Sequence, residues 1–90
     1  MSQVTQNINE NRFELTENGL TAVAEYIPQG EIIVVTHIIV PQQLRGRGVA
    51  STLATEVVAY ARREKLKIRP HCSYMIAYLE RHPEHSDLVV

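Results

Sequence analysis

The chain has little that would let it live outside a reducing compartment or inside a membrane. Ninety residues include one cysteine, Cys72, so no internal disulfide can form. No apolar run approaches the roughly 18–20 residues of a bilayer span. The opening residues, MSQVTQNINENR, contain neither a basic stretch nor an apolar one of the kind that directs secretion. A cytoplasmic location is expected. Repeats, linkers and low-complexity segments are missing too. Net charge is only −1, which argues against a general nucleic-acid footprint.

What remains is one small domain. At this length only about 60–65% of the unfolded surface can be buried, enough for a single sheet with one or two helices. The hydrophobic fraction, 44%, is ordinary for a globular chain. Charge is distributed unevenly. Residues 1–40 hold one base, Arg12, against five acids (Glu10, Glu14, Glu17, Glu25, Glu31), and the remainder holds eight bases against five acids.

The chain is organised around residues 34–53, VVTHIIVPQQLRGRGVASTL. A β-branched run meets Pro41, then a loop with glycines at 46 and 48, then a segment of helical periodicity. A strand feeding a glycine-bearing loop that opens a helix is a device for holding phosphate. The glycines admit close backbone approach, and first-turn amides have no intrahelical acceptor. Arg45 and Arg47 add formal charge there. The loop lacks the Gly-Lys-Ser/Thr of a Walker A sequence and the full GxGxxG dinucleotide fingerprint.

Residues 1–11 read as a polar tail, frayed or extending the first strand, and 12–90 as the domain. Phe13 and Leu15 alternate with polar neighbours as a half-buried strand. Asn18-Gly19 is a two-residue hairpin signal. Residues 20–27 return, Pro28-Gln29-Gly30 turns again, and residues 32–40 form an apolar strand expected to be covered on both faces. Ala50, Leu53, Ala54, Val57, Val58 and Ala61 recur at three- and four-residue steps, the stripe of an amphipathic helix. Leu66 and Ile68 alternate with Lys67 and Arg69 up to Pro70, a fourth strand reached by a right-handed crossover. A short second helix is predicted from Ser73, burying Ile76 and Leu79 and ending at His82-Pro83. The fold class is α/β: a three-stranded antiparallel meander, one parallel strand added by a strand–helix–strand crossover, and a short C-terminal helix.

Arg45-x-x-Gly48-x-Ala50 resembles the coenzyme A pyrophosphate loop of the GCN5-related N-acetyltransferase (GNAT) superfamily. Three blocks bring the likeness closer: residues 36–50 (THIIVPQQLRGRGVA), 70–74 (PHCSY) and 81–89 (RHPEHSDLV). In this order they are similar to the small GNAT-like proteins of the YjdJ type, over roughly residues 13–89. Ile38 departs from the threonine usual in those proteins.

The resemblance implies a truncated GNAT fold that binds acetyl-CoA. It places the pantetheine arm on the backbone of Ile38 and Val40, and the pyrophosphate over Arg45, Gly46, Arg47, Gly48, Val49 and Ala50, with Ser51 at the helix start. The function implied is acetyl-CoA-dependent transfer of acetyl to a primary amine, directly or through an acetyl-cysteine. The alternative is a CoA-binding regulatory or interaction module without catalysis.

Three side chains are candidates for the chemistry. Cys72 precedes a helix N-terminus, with His71 adjacent and Arg69 close, a setting that favours the thiolate; the competing reading is a small buried hydrophobe. Tyr74, or Tyr78 one turn on, could protonate the departing sulfur, as a tyrosine does in the larger superfamily; packing is the alternative for each. His37 could take the proton of an amine nucleophile, or be a strand histidine held by hydrogen bonds. His82 and His85 have no third and fourth ligand at suitable spacing, so no metal is expected. The acceptor is a small molecule or a protein. The chain is too short to wall an acceptor site by itself, and homodimerisation would supply a wall.

Overall fold

The computed structural model describes residues 3–90. Five strands, β1 (Val4–Asn7), β2 (Arg12–Glu17), β3 (Leu20–Gln29), β4 (Ile32–Ile39) and β5 (Lys67–Pro70), form one sheet in sequential order. The first three pairings are antiparallel; β4 and β5 are parallel, with Ile33 beside Ile68. Helix α1 (Val49–Glu64) makes the crossover, and α2 (Ser73–Arg81) follows β5. Short 3₁₀ turns lie at Ile8–Glu10, Gln42–Leu44 and Pro83–Leu88.

The meander therefore has four strands rather than three. Val4–Asn7, inside the stretch read as a polar tail, pairs with β2 from Val4–Leu15 to Asn7–Arg12. Its polar side chains are the reason that periodicity alone does not mark it. Gln6 Nε2 donates to the Tyr26 hydroxyl (2.9 Å), tying this edge to an aromatic cluster of Phe13, Tyr26 and Tyr60. The hairpin at Asn18-Gly19 has positive φ at both residues, 53° and 75°, the conformation that matches strand twist. The next turn falls later than expected, because β3 runs through Pro28 to Gln29. Tyr26 N–H donates to Asn11 C=O (3.0 Å), so Pro28, two residues on, turns its missing N–H to the side where β2 has already ended.

One irregularity decides which side chains share a face. Val35 pairs with Tyr26 but His37 pairs with Glu25, leaving Thr36 as an extra residue on β4. Such a bulge resets the two-residue alternation. Ile33 and Val35 are buried before it, and after it Ile38 packs on the core while His37 and Ile39 turn outward. Thr36 Oγ1 donates to Glu25 C=O across the bulge (3.3 Å).

Both helices belong to that one core. Val49, Leu53, Ala54, Val57, Val58 and Ala61 from α1 meet Met75, Tyr78 and Leu79 from α2 over Phe13, Leu15, Ala22, Ala24, Tyr26, Ile33, Val35 and Ile68. Small Ala22 and Ala24 at the sheet centre admit the helix closely. Two expectations change here. The strand of residues 32–40 is not covered along both faces, since Ile39 is 51% exposed. In α2 it is Met75 and Tyr78, not Ile76, that point inward with Leu79; Ile76 is 40% exposed. The helix does end at His82, whose φ/ψ of −126°/70° is non-helical as Pro83 requires.

The C-terminal turn is clipped to this frame. Arg62 forms a two-toothed pair with Asp87 (3.1 and 3.3 Å), Lys67 Nζ donates to Asp87 C=O (2.6 Å), and Val90 N–H donates to Ile68 C=O (3.0 Å). Leu88 is buried beneath them.

Two predictions follow from this packing. Leu53→Ala, at a site with no exposure, should lower unfolding free energy by about 2–5 kcal/mol, whereas Ile76→Ala should change it by less than about 0.5 kcal/mol. Equal losses in urea titration would mean that α2 is rotated. The Arg62 guanidinium holds the Asp87 carboxylate below its ordinary range. Its stabilisation is therefore complete above the unfolded value of about 3.9 and is lost as pH falls through the lower folded one. The urea midpoint should decline below about pH 4, and Asp87→Asn should remove part of that decline. An identical acid limb in the variant would contradict the clip.

Candidate functional site at the opening of the first helix

Leu44 anchors the loop between β4 and α1. It is 1% exposed, and its N–H donates to Pro41 C=O (2.9 Å). From that anchor the chain passes through Gly46 (φ 81°) and Gly48 (φ 76°), left-handed conformations that a side chain disfavours by roughly 1–2 kcal/mol. A Cβ at either glycine would meet nothing within 4 Å, so backbone freedom rather than crowding explains the residue type. Gly48 caps α1 with no side-chain hydrogen bond. The first helical bond runs from Thr52 N–H to Gly48 C=O (3.0 Å), so the amides of Val49, Ala50 and Ser51 precede it and lack an intrahelical acceptor. They form the positive end of a sixteen-residue helix.

A cavity of about 240 Å³ lies against these amides, lined by Val40, Leu44, Arg45, Gly46, Gly48, Val49, Ala50, Ser51 and Tyr74. That is below the roughly 300–1,000 Å³ of pockets that enclose a drug-sized molecule. A cavity of this size has room for one section of an extended ligand, not the whole of it. Its floor is the strand end at Val40, and one wall is the first turn of α2 through Tyr74. Among the described residues no polar or charged residue is buried, so the polarity of the cavity comes from its rim and its backbone.

The site residues expected from the sequence divide into two groups. Val40, Arg45, Gly46, Gly48, Val49, Ala50, Ser51 and Tyr74 converge on the cavity. Ile38 packs on the core one pleat before it. Arg47 stays outside the lining, with its Nη1 3.4 Å from Glu17 Oε1 on the β2–β3 hairpin. Arg45 donates from Nε to Val40 C=O (3.2 Å).

Cys72 and His37 are also outside the lining. Cys72 is half-buried against the core at the N-cap of α2. Its N–H and that of His71 both approach Val35 C=O, at 3.3 and 2.9 Å, which fixes the turn out of β5. His37 stands on the outer sheet face with its side chain 64% exposed, its Nδ1 3.4 Å from Glu25 Oε1. The bulge at Thr36 is what turns it there.

Tyr78 is buried, and its hydroxyl lies 3.0 Å from Thr55 Oγ1. It continues a row of rings, Tyr74–Tyr78–His82–His85, with centroid separations of 6.4, 4.3 and 6.2 Å. His82 meets Glu84, and His85 Nδ1 meets Arg62. Among the described residues no three His, Cys, Asp or Glu side chains are grouped closely enough to hold a metal ion.

Against known proteins, the profile of the GCN5-related N-acetyltransferases matches residues 12–88. The chain belongs to this family. The solution NMR structure of a GCN5-like protein from Staphylococcus aureus superposes with a TM-score of 0.76 at 31% identity, covering 100% of this chain and 91% of that one. No protein of curated function matches. The small GNAT fold, a mixed sheet with a parallel β4–β5 pair, is the architecture that the resemblance implied, with one more antiparallel strand at its edge. No described helix of this GNAT chain is long and apolar enough to cross a membrane.

Proposed function

We propose that the protein is an acetyl-CoA-dependent N-acetyltransferase acting on a primary amine in the cytoplasm. The observation that carries this reading is the cavity at the N-terminus of α1. Two left-handed glycines, three amides preceding the first helical bond and Arg45 offer an anion several donors. The ligand's diphosphate would take those donors. Its pantetheine arm would run past Val40 and Ile38 toward Tyr74 and the opening of α2.

In the direct reaction the amine nitrogen attacks the acetyl carbonyl carbon, a C–N bond forms and the C–S bond breaks. The amine proton leaves to water, because His37, the base expected from the sequence, stands on the opposite sheet face beside Glu25, and the departing thiolate takes a proton from Tyr74. In the covalent route the Cys72 sulfur, having lost its proton, bonds to the acetyl carbon as the CoA C–S bond breaks and the CoA sulfur takes up a proton. The amine then attacks that acetyl carbon, a C–N bond forms, the Cys72 C–S bond breaks, and the amine's proton returns to the Cys72 thiolate. Tyr74, lining the cavity, supports either route. The second reading, a CoA-binding module without catalysis, is favoured by the position of Cys72 and His37 outside the cavity lining.

Calorimetric titration should find one acetyl-CoA or CoA bound per chain. Gly48→Val should remove that binding while far-ultraviolet circular dichroism stays that of the parent; a folded variant that binds CoA as tightly as the parent would reassign the loop. After incubation with acetyl-CoA, covalent catalysis leaves a hydroxylamine-sensitive acetyl on Cys72 that Cys72→Ser lacks. If no acetyl appears and Cys72→Ser transfers normally to amines, transfer is direct. If both proteins bind CoA and neither acetylates any amine, the binding module is the function.

A further inference from the structure

Between residues 44 and 51 every residue but Arg47 lines the cavity. Arg47 follows the left-handed Gly46 and precedes the left-handed Gly48, so its backbone is part of the anion loop even though its side chain is not. The guanidinium is drawn instead to Glu17, thirty residues away in the chain, at 3.4 Å. Glu17 ends β2, and Asn18-Gly19 turns the chain back immediately after it, so the carboxylate is carried by a tight two-residue hairpin. The two side chains are 36% and 55% exposed, so the pair sits in water and is held weakly.

We infer that Glu17 is an affinity- and specificity-setting residue for the diphosphate: it holds Arg47 away from the cavity and exchanges it for ligand phosphate. The inference rests on the reading of the cavity as a CoA site. A phosphate is a stronger partner for a guanidinium than a solvated carboxylate, because it offers more charge and matched bidentate geometry. A single phosphate can be satisfied by the amides of residues 49–51 and by Arg45. A second phosphate extends the charge along the loop toward Arg47, and recruiting it requires breaking the pair with Glu17. The carboxylate therefore opposes diphosphate ligands more than monophosphate ones. Substrate and product of an acetyl transfer share the same diphosphate, so such a competitor weakens both alike.

The test compares CoA with 4′-phosphopantetheine, which has the same arm and one phosphate, by calorimetry at low ionic strength. Glu17→Gln should tighten CoA about two- to fivefold, the range set by one exposed ion pair, and leave phosphopantetheine within about 1.5-fold. The gain should shrink at about 0.5 M salt, and it should disappear in an Arg47→Gln background, where Glu17 has nothing to withhold. If the parent protein binds no CoA, the cavity reading fails and the inference with it. If the parent binds CoA and Glu17→Gln weakens it or leaves it unchanged, only the inference fails, and the pair is a clamp on the loop. A gain that persists with Arg47→Gln is general charge repulsion and also overturns it.

Discussion

The extra residue at Thr36 is the constraint on which the site depends. β4 must bury Ile33 and Val35 under α1 and then deliver Ile38 and Val40 to the same face, a distance over which strict alternation would turn them outward. One inserted residue solves this, and its consequence is that His37 and Ile39 face away from the helices. β5 stops at the same level, where Pro70 lies beside Val35, and the amides of His71 and Cys72 close on the Val35 carbonyl. Beyond that point β4 has no strand on the β5 side. The cavity lies at this opening, between the N-terminus of α1 and Tyr74 on α2.

The candidate anion site is made largely of backbone. Glycine conformations and the start of a helix supply its donors, so they are set when α1 docks and require no side-chain ordering. The two arginines behave differently. In the free chain each is already engaged, Arg45 with the Val40 carbonyl and Arg47 with Glu17. Ligand charge would thus be met first by fixed amides and then by side chains that must change partner. Under the proposed reading, such a division would keep the site positioned and leave its affinity to be tuned from the β2–β3 hairpin.

Much of this was legible in the sequence where a local physical signal existed. The stripe on α1 follows from helical spacing, the hairpin from Asn18-Gly19, and the loop from two glycines and two arginines ahead of a helix. The bulge was not legible, because residues 32–40 are a nearly continuous apolar run in which one extra residue leaves no mark. The outward turn of His37 was lost for the same reason. β1 has a polar sequence and is held by pairing and by Gln6 on Tyr26, both non-local. The expectation that Ile76 is buried with Leu79 failed because the rotation of α2 about its axis is set by its docking on β4 and β5. That docking buries Met75 and Tyr78, and a nine-residue helix does not reveal it by spacing alone. The Glu17–Arg47 pair spans thirty residues and only the folded sheet brings it together.

In the proposed function the α1 opening receives the phosphates of acetyl-CoA. The most direct test of that placement is an amide ¹H–¹⁵N chemical-shift titration of the intact chain with CoA. The largest shifts should fall on Gly46, Gly48, Val49, Ala50 and Ser51, with smaller ones at Ile38, Val40 and Tyr74. Shifts confined to the outer sheet face, around Thr21, Val23 and His37, with residues 46–51 unmoved at saturation, would contradict the account.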